Sequence, residues 1–225
     1  MRHTVTPAVL THRHEYTPPW LEGQKPKPVY WMRSASFADR TQYEAELDTA
    51  AGPEVMQWQK DMAFAQGLAE TFLPDREDQP ENGAQRDRIT ELLSQIRSGE
   101  EVSEEDKAFV NSAWLEVSQT WLPLKELTFR EAHRRRLMPG FALRHFCIGL
   151  DNVKDARGAP VAFEADGQER MAEHVLMRID KDDLLFAGQF ADDLQYGRSA
   201  EKNSSPPSKS GSRRKSSTEA GKALG

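Results

Sequence analysis

The chain has a single cysteine, Cys147, among its 225 residues. One thiol cannot form an intramolecular disulfide, so a packed core has to hold the fold, and the C-x-x-C spacing of redox and zinc sites is excluded. No apolar run approaches the roughly 18 to 20 residues that a membrane span requires. The start, Met1-Arg2-His3-Thr4-Val5-Thr6-Pro7, has no apolar stretch ahead of its proline, which argues against a secretory signal and for a protein that stays in the cytoplasm. Also missing are a Gly-rich phosphate loop, a nucleophile elbow and an H-E-x-x-H metal helix. With these catalytic signatures lacking, the expectation is a protein that is not an enzyme and has no cofactor, no metal and no catalytic residue.

What the sequence does have is charge, unevenly spread. Its 30 Lys and Arg against 36 Asp and Glu give a net charge of -6, and the mean hydropathy is -0.74. From Arg198 onward, seven Lys or Arg face only Glu201 and Glu219, a net +5, which leaves -11 on the first 197 residues. An acidic body over 1–197 followed by a basic Ser/Pro-rich tail over 198–225 is a two-part design. Such a tail buries too little apolar surface to offset its ordering entropy, and disorder is predicted from Ala200 to Gly225.

The body reads as mainly α, a multi-helix domain with a small β element. Val5 to Thr11 and Pro28-Val29-Tyr30-Trp31-Met32-Arg33 have strand composition, with a Pro-broken loop between them. Ser36 and Asp39 cap a helix carrying Phe37, Tyr43 and Leu47 to about Ala51. After Gly52-Pro53, the apolar residues Val55, Trp58, Met62, Ala65, Ala69 and Phe72 recur at helical spacing, a stripe predicted to pack on a neighbouring helix. Ile89, Leu92, Leu93 and Ile96, closed by Gly99, mark a third helix. Ser103 and Asp106 open a fourth, with Val110, Trp114, Val117 and Trp121 on one stripe until Pro123.

Leu124 to Arg136 continues to Pro139-Gly140. The stretch Leu143-Arg144-His145-Phe146-Cys147-Ile148-Gly149-Leu150-Asp151-Asn152-Val153, followed by Gly158-Ala159-Pro160-Val161-Ala162-Phe163, reads as the end of a buried helix, a glycine stop, a turn and a return strand over 160–163. Val175, Leu176 and Ile179 belong to a further helix, and Asp180 and Asp183 suit the first turn of a last one with Leu185, Phe186, Phe190 and Leu194. Phe37, Trp58, Phe72, Trp114, Trp121, Phe146 and Phe190 are the predicted core aromatics.

Candidate sites are few. His12 and His14 share one face if the segment is a strand, but no third ligand at a recognisable spacing accompanies them. His133, His145 and His174 are scattered over helix ends and faces. Cys147 stands in an apolar context with His145 on the wrong side of a helix, so it reads as a small hydrophobe. The carboxylates Asp180, Asp182, Asp183, Asp192 and Asp193 read as helix starts or solvated faces in preference to a cation site or an acid/base pair. Arg134-Arg135-Arg136, one turn from Glu131, reads as a solvated face. Arg213, Arg214 and Lys215 in the tail are the candidate partner-binding residues.

The segment from Pro28 to Arg33, the run Ser36-Phe37-Ala38-Asp39-Arg40 and the element Leu143 to Val153 with Pro160 to Phe163 together resemble the tail assembly chaperones of long-tailed bacteriophages and prophages. Glu201-Lys202-Asn203-Ser204-Ser205-Pro206 is similar to the ending many of them carry. Leu150 stands where that family usually has Trp, which keeps the site apolar. The resemblance implies a protein made in the host cell and absent from the finished virion. It would bind the long helical tape measure protein and help bring tail tube subunits to it. Two other classes fit less of the sequence: a structural tail or head-tail joining protein, and a nucleic-acid-binding protein acting through the basic tail.

Overall fold

In the computed structural model, residues 13–196 are described. Three short strands, β1 (Arg13–Tyr16), β2 (Val29–Arg33) and β3 (Cys147–Asp151), form an antiparallel sheet in the order β1-β2-β3. Seven helices accompany it among the described residues. They are α1 (Phe37–Ala51), α2 (Gln57–Gly67), α3 (Glu81–Ser98), α4 (Glu104–Thr120), α5 (Leu122–Phe146), α6 (Glu173–Leu176) and α7 (Lys181–Gln195). The expected helical class with a small β element therefore holds. The predicted strand Val5 to Thr11 and the tail from 198 lie outside the described residues.

Local chemistry sets most helix ends. Ser36 and Asp39 exchange both bonds of a capping box at the start of α1. Ser103 accepts the Asp106 N–H at the start of α4, and Asp180 accepts the Asp182 N–H before α7. Gly99 closes α3 in the left-handed region at φ 80°. Pro123 is in the first turn of α5, where its missing N–H costs no helical bond. No helix among the described residues is long and apolar enough to cross a membrane.

The helices enclose two main cores joined by α5, which at 25 residues is about 37 Å long. The proximal core packs Tyr30 and Met32 of β2 and Tyr43 and Leu47 of α1 against Leu143 and Phe146 of α5, with Met171, Ala187 and Ala191. The distal core packs Ala63, Phe64 and Leu68 against Ile89, Val117 and Leu124. In β2, Tyr30 and Met32 point inward while Trp31 and Arg33 alternate outward.

Several sequence expectations change here. Gly149 does not stop a helix; α5 passes directly into β3, and Gly149 pairs with Trp31. A Cβ at 149 would meet both Trp31 and the Arg13 guanidinium at 3.3 Å, so the glycine leaves room for Arg13 to stack over the Trp31 ring at 4.3 Å. The return segment at 160–163 is no strand: it makes one isolated bridge, Lys154 to Pro160, and one backbone bond, Val161 N–H to the Val153 carbonyl. Its loop is organised by Asp155, whose carboxylate accepts the Arg157 and Ala159 N–H groups at 3.0 and 2.9 Å. Asp166 repeats the arrangement with Gln168 and Arg170, and these bonds hold its carboxyl down at about 2. Helix α5 runs unbroken through Pro139, which is buried.

The aromatic core is partly relocated. Phe146 is fully buried, while Phe72, Trp114, Trp121 and Phe190 are half-buried partners of the two cores. Phe37 is 79% exposed. It lies six residues before Tyr43, about 120° around α1 from the face that buries Tyr43, Leu47 and Ala51. Trp58 is exposed for a related reason.

Candidate functional site

Helix α2, continued by a π-helical segment over Leu68–Phe72, has two apolar faces. The inner one, Ala63, Phe64, Gly67 and Leu68, is buried against α4 and α5, and Phe64 lies 4.7 Å from the Trp114 ring. Gly67 makes this approach tight, since a Cβ there would come within 2.3 Å of Val117 Cγ1. The other face is the stripe read from the sequence. At about 100° per residue, Trp58, Met62 and Ala65 fall within roughly 60° of one another and opposite the buried face, and Ala69 follows them in the π-helical segment. Trp58 is 59% exposed, Met62 57%, and both alanines are exposed. Only the ends of the predicted stripe, Val55 and Phe72, turn inward.

Polar contacts hold α2 from its flanks and leave that outer face open. Lys60 Nζ meets Glu131 Oε2 of α5 at 2.9 Å, and its side chain is mostly buried. On the other flank the Arg97 guanidinium of α3 forks onto both oxygens of Asp61, with Nη1 to Oδ2 at 2.7 Å. Gln57 adds a bond to Asp61 at 2.8 Å. Ile96, beside Arg97, is itself exposed. The result is a rigidly seated helix with an apolar outer stripe, suited to packing a second helix and holding no nucleophile or base.

Other exposed apolar groups are more isolated. Phe129 stacks on His133 along the outer side of α5, and Trp20 meets Phe186 edge-on at 4.9 Å. A cleft of about 470 Å³ between α1, α5 and α7 is lined by Glu44, Asp48, Glu54, Glu131 and Asp192 with Arg134 and Arg135.

The sequence-predicted site residues are dispersed. Arg134 is not a solvated residue: its Nη1 donates to Asp48 and, at 2.9 Å, to the Gly52 carbonyl, neutralising the C-terminal end of α1. Arg135 pairs with Glu131 at 3.3 Å and, like Arg136, is exposed. Of the paired carboxylates, Asp180 is a cap, but Asp183 and Asp192 are buried. The Tyr30 hydroxyl and Trp20 indole each donate to Asp183 at 3.1 Å, and the Tyr43 hydroxyl donates to Asp192 at 2.8 Å. Burial raises the Asp183 carboxyl above its ordinary value. Nine residues apart on α7, these two are separated by about 13 Å and form no catalytic pair.

His14 bonds Ser34 at 3.0 Å, and His12 lies outside the described residues, as do Arg213, Arg214 and Lys215. Among the described residues no cluster of three metal-ligating side chains occurs. Cys147 is fully buried and its thiol is pushed up to about 12 by burial.

His145 is the residue whose setting the sequence did not disclose. It is buried at the end of α5 with Nε2 3.0 Å from Glu46 Oε2, and Arg170 Nη1 donates to both Glu46 oxygens at 2.7 and 2.8 Å. Burial pushes the imidazole below its usual range, and the Glu46 carboxylate only partly counters it. This network ties the 164–172 loop to α1 and α5. Its partners are 99 and 124 residues apart in sequence, so no local spacing signals it.

Compared with protein-family models, with curated proteins and with solved structures, the chain matches none of them.

Proposed function

We propose that the protein is a non-enzymatic tail assembly chaperone of a long-tailed bacteriophage or prophage. In this reading it binds the helical tape measure protein in the host cytoplasm, helps recruit tail tube subunits, and is left out of the virion. The observation that carries the binding role is the outward stripe Trp58, Met62, Ala65 and Ala69 on a helix whose other apolar face is already packed. An aggregation-prone amphipathic helix needs such a surface, and the net charge of -11 on residues 1–197 favours keeping the complex in solution. The family reading itself rests on the sequence resemblance.

The test is co-expression with the tape measure protein of a candidate phage, followed by a pull-down. A soluble complex, lost when Trp58 and Met62 are both changed to Glu, is the expected result. Absence of any complex, with the tape measure protein insoluble, overturns the chaperone reading.

A further inference from the structure

We propose that the segment recognised by the α2 stripe is a basic amphipathic helix, one whose apolar seam is flanked by Lys or Arg. This deepens the chaperone reading and rests on it only in taking the occupant to be another protein. Two properties of the surface specify the chemistry.

The first is charge. Glu54 lies in the non-helical connection just before α2, Glu70 follows Ala69, and both are exposed. The chain then enters the connection 75–80 and the start of α3, where Glu77, Asp78 and Glu81 are exposed beside Arg76, while Asp75 is paired with Arg86 of α3. The two cations nearest the stripe are already engaged, Lys60 with Glu131 and Arg97 with Asp61. An occupant with cations beside its apolar seam would find opposite charge at both ends of the stripe, whereas an acidic helix would be repelled.

The second is size and symmetry. Four side chains, two of them alanines, offer far less than the roughly 800 Å² per partner of a standard stable interface. A second copy of this chain would also bring its own Glu54 and Glu70 to the same patch, because a two-fold pairing packs one surface against itself. The basic tail has the right sign, but beyond Arg198 it contains only Ala200, Ala220, Ala223 and Leu224 as apolar residues, too few and too separated to make a seam. What remains is a helix from a partner. The large Trp58 and Met62 end would pack its side chains, and the Ala65 and Ala69 end would admit its backbone closely.

The experiment uses two fluorescently labelled synthetic peptides with the same leucine seam, one flanked by lysines and one by glutamates, titrated with the full chain. The lysine peptide is expected to bind about tenfold or more tightly than the glutamate peptide and to weaken as salt is raised. Trp58→Ala and Met62→Ala should each weaken it several-fold with unchanged melting temperature, while Phe129→Ala, on the outer side of α5, should not. Equal binding of the two peptides, or indifference to Trp58 and Met62, overturns the proposal. A tape measure complex that forms while the lysine peptide ignores the stripe would place the partner elsewhere and leave the chaperone reading standing. Stripe-dependent peptide binding without a tape measure complex would do the reverse.

Discussion

Gly188 of α7 rests directly on the backbone of Pro139 in α5: a Cβ built at 188 would lie 2.1 Å from the Pro139 carbonyl oxygen and 2.6 Å from its Cα. Small residues on α7, with Ala187 and Ala191 on either side, let the two helices approach to this distance. The same contact explains why Pro139 does not break α5. Proline removes one helical hydrogen bond, but the flanking turns are held by α7 and by the proximal core.

Gly188→Ala should therefore cost about 3 kcal/mol or more in urea melts, since the obstacle is backbone and cannot rotate away. Gly83→Ala, in the first turn of α3 with nothing nearer than 3.9 Å to the new methyl, should be neutral or stabilise by up to about 1 kcal/mol. Equal effects at the two sites would contradict the packing described.

The two tryptophans of the distal half should separate cleanly. Trp114 is half-buried against Phe64, and its replacement by Ala is expected to cost about 2 to 3 kcal/mol. Trp58→Ala should change stability by less than about 0.5 kcal/mol while reducing partner binding. A large loss of stability from Trp58→Ala would place that ring in a core.

His145 should give the fold an acid-sensitive step. Because the folded imidazole has a lowered pKa, the unfolded chain takes up its proton first as pH falls below about 6.5, and stability declines from there toward the depressed folded value. Glu46, lowered on balance by its bonds to Gln42 and His145 and by Arg170 although burial raises it, adds a loss in the same direction at lower pH. His145→Gln should flatten the first part of that decline. An NMR titration of the ring with its midpoint above 6.5 would refute the assignment.

Cys147 should be inert to a thiol reagent at about pH 8 in the native protein and react fully once unfolded, because burial denies both access and the thiolate. Rapid native labelling would mean that β3 opens readily.

Features governed by neighbouring residues were legible in the sequence. The Ser36–Asp39 and Ser103–Asp106 caps, the Gly99 stop and the Asp180 start depend on atoms two to four positions apart. The stripe on α2 was found but turned the wrong way. Periodicity locates an apolar face and is silent on orientation when a helix has two, and here the smaller-looking set Ala63, Phe64, Gly67 and Leu68 won because Gly67 allows closer packing. The buried Asp183 and Asp192 could not be read, since their tyrosine partners are 153 and 149 residues away. The tight passage from α5 into β3 was hidden as well, because Gly149 is there for Trp31 and Arg13, which belong to other strands.

The two cores differ in how the chain supplies them. The distal core draws on one uninterrupted stretch, 63–127, whereas the proximal core needs both 16–51 and 137–194. Closing the second requires a loop of more than eighty residues, and the first closes through short helical hairpins. During synthesis, then, the α2 scaffold can assemble while the residues that complete the proximal core are still unmade. The order of translation would make the outward face of α2 the earliest finished surface of the molecule, open to a partner before the rest of the fold has closed.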